Sequence, residues 1–72
     1  MISSQKSEMM KQAMAKMSDD HLAAHFQNLT SSWEFLNHQK FSIESVARKV
    51  AQNHGYGKNS SHYWDRIKNH LE

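Results

Sequence analysis

The sequence predicts an all-α fold, a small bundle of three to four short helices, from three observations. Its 72 residues contain no proline and only two glycines, so little interrupts helix formation. Apolar side chains recur at spacings of three and four in the longer segments, and nowhere alternate for long enough to make a strand. Serine and aspartate stand just ahead of these periodic segments, where helix N-caps are expected.

The first helix is expected from about Ser4 to Met17, a stretch rich in the helix formers Gln, Lys, Glu, Met and Ala. Met10, Met14 and Met17, with Ala13, fall on one of its faces. Methionine adapts to irregular surfaces but specifies packing poorly, so residues 1–17 are expected to dock loosely on the single small domain of residues 1–72. The same methionine face is a candidate for seating in the groove of a partner protein.

Ser18-Asp19-Asp20 breaks that pattern with residues that cap a helix and complement the positive end of its dipole. A second helix should start here and run to about Asn37. Leu22, Phe26, Leu29, Trp33 and Leu36 step by four, three, four and three, the strongest periodicity in the chain. This seam marks the central core helix, and an exposed edge of it would suit a dimer contact.

Asn37-His38-Gln39-Lys40 is polar and expected as a loop. Ser42 is placed to cap a third helix, with Glu44 in its first turn and Phe41 as a hydrophobic staple toward Val46 or its neighbours. Ile43, Val46, Ala47, Val50 and Ala51 would face inward, and Arg48, Lys49 and Gln52 outward. Gly55 suits the left-handed position that closes such a helix. Tyr56-Gly57-Lys58-Asn59 then forms the connection. Ser60 or Ser61 would cap a last helix with Tyr63, Trp64, Ile67 and Leu71 on its apolar side.

Composition narrows the function. With no cysteine, neither a disulfide nor a thiolate metal site can form, which favours a reducing compartment. The N-terminus lacks the apolar core of a secretory signal, and no apolar run approaches the roughly 20 residues a membrane span needs. A cytoplasmic location is the expectation. A core this small gains from a partner subunit, so a homodimer is also expected.

The formal charge of +2 is uneven. Residues 1–36 hold Lys6, Lys11 and Lys16 against Glu8, Asp19, Asp20 and Glu34, a balance of −1. Residues 37–72 hold Lys40, Arg48, Lys49, Lys58, Arg66 and Lys68 against Glu44, Asp65 and Glu72, a balance of +3. A basic half of this kind is what a polyanion-binding surface requires.

No serine sits in a nucleophile-elbow context, and Gly55-Tyr56-Gly57 lacks the remainder of any phosphate-loop fingerprint. Glu8, Glu34, Glu44 and Asp65 form no evident catalytic pair. His21 and His25, four apart, share a helix face, but six histidines scattered along the chain make no recognised ligand frame. The expectation is a non-enzymatic protein without cofactor or metal.

Val46-Ala47 inside the third helix, Gly55 at the turn, and Ser60-Ser61 ahead of an aromatic and basic helix ending in Ile67 and Leu71 give a further signal. This stretch, residues 42–71, resembles the helix-turn-helix of DNA-binding regulators. The resemblance implies a small regulatory or architectural DNA-binding protein whose last helix enters the major groove. Ser61, His62, Asp65 and Arg66 would then face base edges, with Arg66 suited to guanine and Asn69 to adenine. Lys49, Lys58 and Lys68 are the candidates to meet phosphates, and Arg48 belongs to the same nucleic-acid-binding surface. The connection from Gly55 to Asn59 is longer than the usual turn of about three or four residues. The alternative is a protein-binding module, an inhibitor, antitoxin-like regulator or subunit stabiliser without nucleic-acid contact. Its contact candidates are Met10, Met14, Met17 and Tyr56, the last lying between two glycines and expected to be exposed.

Overall fold

Four helices pack around one apolar core in a computed structural model that describes the backbone of residues 2–71 and the side-chain environments of residues 8–71. They are α1 (Ile2–Lys16), α2 (Asp19–Asn37), α3 (Ile43–Asn53) and α4 (His62–Ile67). A 3-10 turn at Gly57–Asn59 precedes α4 and another at Lys68–His70 follows it. No strand occurs among the described residues, and no helix among them is long and apolar enough to cross a membrane.

The caps explain where the helices begin and end. The Ser18 side chain accepts a hydrogen bond from the His21 backbone N–H at 3.2 Å, and Asp19 and Asp20 sit in the first turn of α2. Ser42 does the same for α3, accepting from the Ser45 N–H at 3.1 Å. At the other end of α3, Gly55 takes φ +84°, a conformation that L side chains rarely adopt. The Gly55 N–H then donates to the Gln52 carbonyl and the Tyr56 N–H to the Ala51 carbonyl, the pairing of a Schellman motif. One expected cap works differently. Ser61 stands at the N-cap of α4, but its side chain accepts no cap hydrogen bond there, and its hydroxyl donates to Asp65 Oδ2 instead.

Leu22, Ala23 and Phe26 of α2, Val46, Ala47, Val50 and Ala51 of α3, and Tyr63 and Ile67 of α4 form the core. Each fully buried large apolar side chain there contributes about 1.5–3 kcal/mol. Met14 joins them from α1 at 1% exposure. The methionine stripe is therefore split: Met14 is core, Met17 is half-buried, and Met10 is exposed. Met14 is unavailable as a partner contact because the helix needs it to dock.

The α2 seam also ends early. Leu22 and Phe26 are buried and Leu29 and Trp33 half-buried, yet Leu36 is 71% exposed. The end of α2 lies beside the connection of residues 38–42 and the start of α3, and neither covers Leu36.

Candidate functional site

Arg66, expected to read a base, instead holds a corner of the fold. Its Nε donates to Asp19 Oδ1 at 3.0 Å, and Nη2 lies 2.8 Å from the same oxygen. Nη2 also donates to the Met17 carbonyl at 2.8 Å and Nη1 to the Met14 carbonyl at 3.4 Å. One planar cation thus covers carbonyls at the negative end of α1 and pairs with the carboxylate at the positive end of α2. A guanidinium can do both because its donors point in several fixed directions. Asp20 pairs with His70 and ties the terminal 3-10 turn to the same end of α2.

The remaining residues of the expected DNA surface are placed as follows. His62 stacks on Tyr56, ring centroids 4.4 Å apart at 14°, and Ser61 is bonded to Asp65. Arg48 pairs with Glu44 along α3 at 3.0 Å. Lys49, Lys58, Lys68 and Asn69 are exposed, and none of these three lysines has an ion pair among the described residues. Helix α4 has only six residues, with Tyr63 and Ile67 buried and His62, Trp64 and Arg66 partly covered. Asp65 is its one exposed side chain.

Tyr56 is not the free anchor its glycine neighbours suggest. It is half-buried, edge-on to Tyr63 and face-on to His62, and the Lys11 ammonium sits 4.9 Å from its ring centre. Nearby, His54 Nδ1 lies 3.3 Å from the hydroxyl of buried Tyr63. With the ring proton on Nε2, Nδ1 accepts the tyrosine hydrogen. Burial holds the His54 imidazole below its ordinary pKa, Lys11 pushes it the same way, and Glu8 partly opposes them. Burial raises the Tyr63 phenol, assisted by its hydrogen bond with Tyr56 and that neighbour's charge and opposed by Arg66. Lys11 of α1 thus meets the aromatic cluster between α3 and α4, in which the polar atoms of His54 and Tyr63 face one another.

The open surface lies elsewhere. Trp33 and Leu36 of α2, Phe41 of the loop, and Val46 of α3 line a groove of about 490 Å³, with Asn37, Ser45 and Lys49 completing it. Trp33 meets Phe41 edge to face at a centroid distance of 6.1 Å. The Phe41 N–H donates to Glu34 Oε2 at 2.9 Å, which fixes the loop as one wall. Phe41 packs against the core that includes Val46, as the expected staple would, and both residues also line this groove. Phe35, beside Leu36, is 79% exposed.

The periodicity that places Trp33 and Leu36 in the core gives no sign of this groove. Phe35 carried the available signal, because it is a large apolar residue lying off the seam of Leu22, Phe26, Leu29, Trp33 and Leu36.

Among the described residues no three His, Asp or Glu side chains converge as metal ligands. No protein-family model, curated protein or solved structure matches the chain.

Proposed function

We propose that the chain is a non-enzymatic protein-binding module whose contact surface is the groove between the end of α2 and the start of α3. One observation carries this reading: Trp33, Leu36 and Phe41 surround an open cleft, with Leu36 and the adjacent Phe35 largely in water. Contiguous exposed aromatic and aliphatic surface costs a monomer solubility, and partner contact removes that cost. Aromatic side chains in a pocket of this kind are the usual anchors of an interface. The groove replaces the methionine face as the contact, since Met14 is committed to the core.

A screen of random peptides against the protein, counter-selected on Leu36→Asp, tests this reading. The expected result is peptides that bind the wild type, lose binding to the variant and shift the Trp33 indole resonance. Peptides that bind both proteins equally would remove the groove from consideration.

DNA binding is the second reading, favoured by Lys49, Lys58 and Lys68, which are exposed and have no ion pair among the described residues. Such cations suit phosphates, while the engagement of Arg66 leaves base reading to Asn69 and the edge of α4. Duplex affinity measured across a salt series discriminates. Neutralising Lys58 or Lys68 should each reduce the slope of log affinity against log salt by about one. Absence of binding at low salt from folded protein would eliminate this reading.

A further inference from the structure

We infer that the groove takes an acidic amphipathic helix, with apolar side chains seated between Trp33, Leu36 and Phe41 and carboxylates meeting Lys49 and Lys40. This rests on the protein-binding reading above and names the partner's chemistry. The walls are apolar and two of them are helices, an arrangement that receives an amphipathic helix through residues spaced three and four apart. A volume of about 490 Å³ falls within the range of roughly 300–1,000 Å³ typical of sites that enclose a ligand.

The rim supplies the sign of the partner. Lys49 lines the groove, and Lys40 is exposed in the loop leading to Phe41; neither has an ion pair among the described residues. Of the nearby acids, Glu44 is paired with Arg48, while Glu34 accepts the Phe41 N–H and keeps its charge. Lys40 and Lys49 against Glu34 leave a balance of +1 around the apolar floor, and complementarity calls for a negative partner.

A second copy of this chain fits poorly by the same measure. The exposed apolar residues Met9 and Met10 belong to α1, which holds Lys6, Lys11 and Lys16 against Glu8, a balance of +2. Docking that helix would place cations against the basic rim. A symmetric groove-to-groove dimer would bring Lys49 of each copy toward the same centre.

The test uses two synthetic helical peptides with identical leucine and phenylalanine positions, one with glutamate and one with lysine on the polar face. Affinity is measured by fluorescence anisotropy and the site is mapped by amide and indole chemical shifts. Sedimentation of the free protein is run alongside. The glutamate peptide should bind and perturb Trp33, Leu36 and Lys49. Leu36→Asp should abolish binding, and Lys49→Glu should weaken it by about twofold to fivefold, the scale of exposed charge pairs. Because Leu36 and Lys49 are exposed, circular dichroism should find both variants folded.

Equal or tighter binding of the lysine peptide in the groove would overturn the acidic assignment while leaving the protein-binding reading intact. Self-association abolished by Leu36→Asp would also overturn it, by making a second copy the occupant. If neither peptide binds and the protein stays monomeric, the acidic-helix assignment falls. The peptide screen then judges the groove itself.

Discussion

At the junction of α1 and α2, the guanidinium of Arg66 meets the Met14 and Met17 carbonyls and the Asp19 carboxylate together. Its side chain is largely withdrawn from water, so these bonds are worth more than an exposed ion pair. Arg66→Ala should destabilise the fold by about 1.5–3 kcal/mol in urea unfolding, the range for hydrogen bonds to charged groups. Arg66→Lys keeps the charge but not the fork and should recover less than half of that loss. His54 gives the residue scale its pH dependence. Its folded pKa lies below the unfolded value, so below about pH 6.5 the unfolded chain takes up the proton first. The stability contribution of neutral His54 is complete above that pH and is lost as pH falls toward the folded pKa. Thermal unfolding from pH 7.5 to 5.5 should show Tm falling, and His54→Gln should flatten that slope. A slope unchanged by the substitution would assign the dependence to another group.

The capping serines act at the scale of the helix. Ser42 satisfies an otherwise unpaired N–H of α3 and also donates to the Ser45 hydroxyl at 2.8 Å. Ser42→Ala should cost about 1 kcal/mol, read as a lower urea midpoint with an unchanged slope. Ser61→Ala should cost less, because its hydroxyl bonds a side chain and leaves the α4 backbone uncapped. Most helix boundaries are legible at this scale. Ser18, Ser42 and Gly55 are local signals acting on their own backbone, and each does what its residue type implies. The short α4 is less legible. Its apolar spacing continues to Leu71, but the backbone tightens into a 3-10 turn after Ile67. Apolar spacing alone does not distinguish the two hydrogen-bonding patterns over so few residues.

For the whole molecule, the end of α2 leaves apolar surface uncovered. Because Leu36 makes little of the core, Leu36→Asp should leave Tm within about 2 °C of wild type while removing groove binding. A large loss of stability would instead make the end of α2 structural. The core itself was readable, since Leu22, Phe26, Val46, Ala47, Val50, Ala51, Tyr63 and Ile67 all lie on periodic apolar faces and are buried. The candidate site was not. Trp33 and Leu36 continue the periodicity of Leu22 and Phe26, and a repeat cannot state which of its members the rest of the fold covers.

The sequence by itself determined the all-α class, the helix starts and the inward faces, because caps, glycine placement and periodicity act within a few residues of the same backbone. Tertiary structure decided which members of those faces are covered and which cations are free. Met14 became core, Leu36 became surface, and Arg66 turned inward to the α1–α2 corner. Burial and pairing depend on residues distant in sequence, here Arg66 and Asp19, and only packing brings such residues together.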